Sequence, residues 1–315
     1  MLDLSIIVIS FNTRELTLRC LESVFKYTKG LSFEVVVVDN ASDDRSVAEI
    51  KRKFRSKVTV IKNTENVGFG TANNQAMKIA QGRYYCLLNS DTLLIGNIFD
   101  RMIDWYDQNT YVPIRSKINF ERFKMSSIPR GTIKRFPIGV IGCKLLNPDR
   151  TEQHSIGKFP TVSVVFTRLF MDRLIKPFMP GNIVEVDYVM GAFMLLKREV
   201  FERTNGFDEK MFMYVEEVDW CFRIRKSGFS VVYWDDASII HYGGQSSKNG
   251  RKNRIIQNIE GYLYFYKKYY SSFDLMIIKN MIRVKSLASI FLGRIIKSKY
   301  LVETYSDVLR LISKN

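Results

Sequence analysis

Tyr84-Tyr85-Cys86-Leu87-Leu88-Asn89-Ser90-Asp91-Thr92 reads as a buried strand that runs straight into a short polar, acidic tip. An acid delivered at the carboxyl end of a strand sits where an α/β fold places its ligand chemistry. Alone, the stretch is equally an ordinary turn, because Asn, Ser and Asp all favour turns. The same event, however, occurs three times. Leu4 to Ile9 ends at Ser10-Phe11-Asn12, and Phe33 to Val38 ends at Asp39-Asn40-Ala41-Ser42. The run Val35-Val36-Val37-Val38 lacks alternation, which predicts a strand buried on both faces of a parallel sheet. In such a sheet the three tips would line one crevice.

The intervening segments read as helices, giving a βαβα pattern over the first hundred residues. Asn12 and Glu15 have the spacing of a capping box, and Leu18, Leu21 and Phe25 follow at helical intervals. A third strand is expected over Val58 to Ile61 and a helix over Ala72 to Ala80. Between them lies Asn66-Val67-Gly68-Phe69-Gly70, which in isolation reads as a plain turn, but whose closely spaced glycines before a helix would also let backbone N–H groups approach a ligand. No Gly-Lys-Ser/Thr follows, and the loop follows the third strand, so neither a Walker loop nor a dinucleotide fingerprint is present.

The 315 residues are 46% apolar, enough for a full core in one large or two closely packed domains. A net charge of +16 calls for an anionic partner: nucleic acid, an acidic membrane surface or a phosphate-bearing substrate. Cys20, Cys86, Cys143 and Cys221 stand singly in apolar runs, which predicts reduced thiols in a cytoplasmic setting rather than a zinc site or disulfides. No window approaches the roughly 20 apolar residues of a spanning helix. Residues 111-136 scatter Arg115, Arg122, Arg130 and other bases among aromatics and read as a basic excursion from the core, either solvated or touching an anionic surface.

A second acidic cluster runs through Tyr214-Val215-Glu216-Glu217-Val218-Asp219-Trp220-Cys221-Phe222-Arg223. Val218, Cys221 and Phe222 mark the apolar face of a helix, so Glu216 and Glu217 fall in its first turn. There they stabilise the helix dipole, and Asp219 can pair with Arg223 four residues on. Glu217 can still face a cleft, where a carboxylate deprotonates a hydroxyl nucleophile. His241 follows an apolar strand into Tyr242-Gly243-Gly244. It is either structural or, with Asp91 close by, a metal ligand.

These stretches, with Gly191-Ala192-Phe193 and His241-Tyr242-Gly243-Gly244-Gln245-Ser246, occur in the order seen in family 2 glycosyltransferases. The chain resembles that family over about residues 3 to 247, nearest its rhamnosyltransferase-like branch. The resemblance implies a GT-A fold: an α/β protein with a Rossmann-like nucleotide-binding half, an acceptor half and a mixed sheet. It also implies an inverting, metal-dependent transferase that uses a nucleotide-diphosphate sugar, with dTDP-rhamnose favoured and a UDP-hexose or hexosamine as the alternative. The acceptor would be a glycan or a polyprenyl-diphosphate-linked saccharide of cell-surface polysaccharide. Ser10, Asn12, Asp39, Asn40, Asn66, Gly68, Asn89, Ser90 and Asp91 match positions that bind the nucleotide sugar. Asp91 and His241 match the ligands of Mn²⁺ or Mg²⁺, Asn89 standing where many members carry a second acid. The family's Glu-Asp pair is Glu216-Glu217 here, which makes Glu217 the base by position and Asp219 the second candidate. Lys248, Arg251 and Arg254 would form a basic flap over the diphosphate, or else a solvated linker.

The expected organisation is a catalytic domain over residues 1-260, comprising a nucleotide-binding half (1-100), the excursion (111-136) and an acceptor half (138-260). A basic amphipathic helical extension covers 261-315. Within it, Tyr262 to Tyr270 form an aromatic-basic cluster, and Ile277, Met281, Val284, Ala288, Phe291 and Ile295 form a stripe flanked by bases. The extension reads as an element that either lies on an anionic membrane surface, placing the protein peripherally on the inner face of the cell membrane, or packs on the catalytic domain or another subunit. Two other classes stay open. A nucleic-acid binder explains the charge but not the acids at the strand ends, so no nucleic acid is expected. A sugar-nucleotide-binding protein without turnover explains the Glu at position 217.

Overall fold

The computed structural model describes residues 1–109, 111, 136–171, 181, 183–244 and 250–314. Most of the basic excursion and Lys248 therefore lie outside the described residues.

The expected βαβα pattern is present. Strand β1 (Leu2–Ser10) leads to helix α1 (Arg14–Tyr27), β2 (Phe33–Asp39), α2 (Ser46–Phe54), β3 (Thr59–Lys62), α3 (Phe69–Ile79) and β4 (Gly82–Asn89). These four strands pair in parallel in the order β3-β2-β1-β4. The valines of β2 are buried on both faces, which is why the strand reads as a continuous apolar run.

Beyond β4 the sheet turns mixed. After β5 (Thr92–Leu94) and α4 (Phe99–Gln108) come β6 (Ile138–Leu146), β7 (Glu152–Gln153), β8 (Ile156–Gly157), α5 (Val162–Phe170), β9 (Ile183–Glu185) and β10 (Tyr188–Val189). The chain continues through β11 (Phe193–Lys197), α6 (Arg198–Thr204), α7 (Glu216–Lys226) and β12 (Ser230–His241). The main sheet runs β3-β2-β1-β4-β11-β6-β12-β5, with β11 antiparallel to both neighbours and β6 parallel to β12. One apolar cluster lies on each face. Leu4, Ile6 and Val8 of β1 point to one, and Ile7 points to the other, as strand alternation requires.

Helices α8 (Gly250–Tyr269), α9 (Ser272–Ile295) and α10 (Lys299–Lys314) complete the chain. The boundary expected between 260 and 261 falls inside α8. Leu263, Phe265, Tyr266, Tyr269 and Tyr270 are buried, and the Phe265 and Tyr269 rings pack on Phe222 of α7. The aromatic cluster thus belongs to the catalytic core rather than to an interface with lipid. In α9 the buried stripe is Ile278, Ile282, Ser286 and Ile290, whereas Val284, Ala288, Phe291 and Ile295 of the expected stripe are exposed.

The capping box expected at Asn12 is absent. Asn12 takes φ 53°, Thr13 is the N-cap, and no side chain caps the helix. Asn12 serves instead as a cross-link between strand tips: its N–H donates to Ser42 Oγ (2.9 Å) and its Oδ1 accepts from the Asp43 N–H (2.9 Å).

Candidate active site

The register of β5 on β12 sets His241 opposite Thr92, which brings the second polar tip of the chain beside Asp91. Asp91 Oδ1 lies 3.4 Å from His241 Nε2, and the Tyr242 N–H donates to the Asp91 carbonyl (2.9 Å). Gln153 on β7 places Oε1 2.6 Å from His241 Nδ1. An amide oxygen accepts only, so Nδ1 carries the proton and Nε2 turns a lone pair toward the Asp91 carboxylate. The Asn89 amide lies 3.5 Å from the same Nε2 and can donate to it. The oxygen and nitrogen ligand types, with the Gln153 amide fixing the tautomer from behind, also fit a divalent ion held between Asp91 and His241. Among the described residues no group of three or more His, Cys, Asp or Glu side chains is placed to hold a metal ion, so Asp91 and His241 are the two ligands those residues would supply. Mg²⁺ commonly keeps several waters and binds substrate phosphate at such sites.

The opposite wall comes from the start of α7. Tyr214 (φ 65°) and Val215 (φ 70°) both take left-handed backbone, which costs on the order of 1–3 kcal/mol per residue. Two glycines admit the contacts that hold this turn. A Cβ on Gly68 would stand 2.4 Å from the Phe212 carbonyl oxygen, which accepts from the Phe69 N–H (3.0 Å). A Cβ on Gly261 of α8 would stand 2.8 Å from Val215 Cγ2. The absent side chain of Gly68 thus lets one part of the chain approach another, while Asn66 and Phe69 of the same loop line the cleft.

The strained turn aims Glu216 and Glu217 into the cleft that also holds Asn40, Asn66, Asn89, Ser90, Asp91, Gly191, Tyr214 and His241. Burial pushes the Glu217 carboxyl up to about 7, against the pull of its own helix-start N–H and the Arg168 guanidinium. Arg168 is itself fixed by the hydroxyls of Tyr262 (2.6 Å) and Tyr188 (2.9 Å). Burial, and then the charge of Glu217, hold Glu216 well above the usual carboxylate range, and its Oε2 has no hydrogen-bond partner. Burial and the proximity of the two carboxyls hold the protons of the pair above the ordinary carboxylate range.

Asp219 is not brought into the cleft. It is fully buried, with Oδ2 on Arg223 Nε (2.7 Å) and Oδ1 on Lys268 Nζ (2.7 Å) and the Tyr269 hydroxyl (2.8 Å). Ser10, Asn12, Asp39 and Gly68 lie behind the cleft lining. Ser10 bonds Thr17 (3.0 Å), and Asp39 accepts the Ser42 N–H (3.0 Å) through one oxygen while the other, buried, has no partner. Arg251 is exposed near the start of α8, and Arg254 hydrogen-bonds Tyr214. Sequence reasoning missed Gln153, Arg168, Tyr214 and Gly261. Only Arg168, a lone charge in the apolar run of α5, carried a signal.

The family model for "Glycosyl transferase family 2" matches residues 5–171, more than half of the chain. The chain belongs to glycosyl transferase family 2. Its similarity to a low-salt glycan biosynthesis hexosyltransferase, Agl10 of Haloferax volcanii, is 24% identity across 76% of this chain and 67% of that one. An N-acetylglucosaminyl-diphospho-decaprenol L-rhamnosyltransferase of Mycobacterium tuberculosis is 24% identical across 68% of this chain and 67% of its own length. The chain spans only 17% of the O-antigen biosynthesis protein RfbC of Myxococcus xanthus, at 26% identity over 77% of this chain. The solved mannosyltransferase PcManGT of Pyrobaculum calidifontis, in complex with GDP-Man and Mn²⁺, superposes with TM-score 0.54 at 16% identity, covering 99% of this chain and 75% of that one. This family 2 glycosyltransferase has the GT-A fold, with its helices α8 to α10 added after the last strand.

Proposed function

We propose that the protein moves a sugar, with inversion, from a nucleotide-diphosphate sugar to a hydroxyl of a glycan or polyprenyl-diphosphate-linked acceptor. The observation that carries this reading is the facing of two unlike sites across one cleft: a carboxyl raised to about 7 at Glu217, and the Asp91–His241 pair. Glu217 takes the proton of the acceptor hydroxyl as its oxygen bonds the anomeric carbon. The bond from that carbon to the diphosphate oxygen breaks on the opposite side, and the nucleoside diphosphate leaves with the electron pair. Asp91 and His241 would hold Mn²⁺ or Mg²⁺, which supplies positive charge against the leaving diphosphate. Asn89 lies beside them in the cleft, and Arg254, which hydrogen-bonds the cleft residue Tyr214, would add positive charge near the diphosphate together with Arg251 of the same helix.

At the back of the cleft, the unpartnered oxygen of Asp39 would accept a base N–H, with Asn40 and Asn66 alongside. Rhamnose is the favoured sugar, supported by rhamnosyltransferase relatives, including WbbL of Escherichia coli at 34% identity over 30% of this chain. A UDP-hexose donor is the second reading, favoured by the hexosyltransferase likeness. Work on a lipid-linked acceptor places the protein at the inner face of the cell membrane.

Calorimetric titration with dTDP, UDP and GDP, each with and without Mn²⁺, tests the donor site. Metal-dependent binding of dTDP is expected. Binding of none of the three by folded protein would sink the transferase reading.

A further inference from the structure

Seventeen large apolar side chains are exposed among the described residues, and eleven of them lie on α5, α9 and the residues that directly follow them. On α9, Phe273, Met276, Val284, Leu287, Phe291 and Ile295 recur at the three- and four-residue spacings of one helical face. At roughly 100° per residue this face is opposite the stripe of Ile278, Ile282 and Ile290 that packs inward. Phe273, Phe291 and Ile295 are 65%, 67% and 62% exposed. The helix therefore has two apolar faces, of which the described residues cover one.

Helix α5 lies alongside and widens the patch. Its Phe166 and Phe170 rings pack on one another at 5.1 Å and are themselves exposed, and a groove lined by Phe166, Ile277 and Met281 joins the two helices. Monomeric proteins rarely expose a contiguous apolar area of this extent without using it. The charges around it are one-sided. From Ser272 to Tyr300 the chain carries Lys279, Arg283, Lys285, Arg294, Lys297 and Lys299 against a single acid, Asp274, which is used up in the capping box of α9.

We propose that this face of α5 and α9 docks flat on an anionic lipid leaflet, the aromatic and aliphatic side chains entering the acyl boundary and the bases meeting the headgroups. Lipid fits better than a second copy of this chain, because a two-fold interface would set these bases against themselves with no acids to answer them. No helix among the described residues is long and apolar enough to cross a membrane, so the docking is peripheral. The proposal deepens the reading of a lipid-linked acceptor by naming the surface that meets the lipid, and its test is read without turnover.

Co-sedimentation with vesicles of phosphatidylcholine, alone or mixed with phosphatidylglycerol, provides that test. Binding to the mixed vesicles only, weakened by salt, is expected. Arg283→Gln should lower the partition constant about fivefold, since each base near such a surface contributes about a factor of that size. The double variant Leu287→Ser, Phe291→Ser should lower it at least about tenfold, because two exposed side chains no longer enter the apolar layer. Both variants change exposed positions, and retained nucleotide binding in the calorimeter confirms their fold and keeps this result separate from the donor site. Absence of vesicle binding by the unaltered protein would overturn the proposal. So would binding that neither variant weakens, or a dimer in light scattering that the double variant dissociates while vesicles bind nothing.

Discussion

The cleft-facing first turn of α7 and the core-facing residues just behind it carry acids two positions apart, Glu217 and Asp219, under opposite regimes. Asp219 is given two cations and a tyrosine hydroxyl, which tie α7 to α8. Glu217 is buried nearly as deeply, yet Arg168, the cation whose charge acts on it, is occupied by two tyrosines. A carboxylate with its charge answered is stable and inert. One with its charge left partly unanswered holds its proton until near pH 7, and that is the property a general base uses.

The contrast is tested most severely at its two members. Glu217→Gln should lower kcat by about 10² to 10⁴ while nucleotide binding in the calorimeter stays unchanged; undiminished turnover would remove Glu217 as the base. Asp219→Ala should leave Arg223 without its carboxylate and lower unfolding free energy by about 3–5 kcal/mol, read from urea titration. A variant as stable as the parent would mean the cluster is ornamental.

At Glu217 the pH dependences of turnover and of stability run in opposite senses. Turnover should rise as pH passes up through about 7, because the base must lose its proton. The folded pKa of Glu217 is raised above its unfolded value of about 4.5, so the folded state holds the extra proton between those values. Stability from this group is complete below about 4.5 and declines as pH rises through 7, and Glu217→Gln should therefore melt higher than the parent at pH 8. A lower melting temperature would contradict the assigned shift. Smaller effects lie further out. Gln153→Leu should weaken Mn²⁺-dependent nucleotide binding about 10- to 100-fold by freeing the His241 ring. Gly261→Ala should lose about 1 kcal/mol net, a clash with Val215 outweighing the helix gain; a stabilised variant would show that the turn can yield.

Much of the parallel part of the sheet, β1 to β4, was legible because strands such as β2 are buried on both faces and announce it by composition. The same holds for the tip at Asp91 and for Glu217, placed by local patterns that the fold preserved. Other features depended on partners remote in sequence. Asn12 has cap spacing, but its side chain was claimed by the neighbouring strand tip. Gly68 reads as part of a ligand loop or a plain turn, and only the path of the chain at Phe212 shows what fills the space of its missing side chain. Gln153 acquires its role from the pairing of β7 with β6, which no local spacing encodes. In α9 an apolar residue occupies nearly every side of the helix, so periodicity could not say which stripe turns inward.

The hydrogen bond from Phe69 to Phe212, seated where Gly68 has no side chain, has a consequence for engineering. It stitches the loop beside the donor to the turn that aims the acids, so the two halves are not interchangeable cartridges. A chimera joining the first strands of one relative to the later segments of another inherits both loops but not their fit. Specificity for the donor and alignment for the acceptor must then be exchanged together, along that seam.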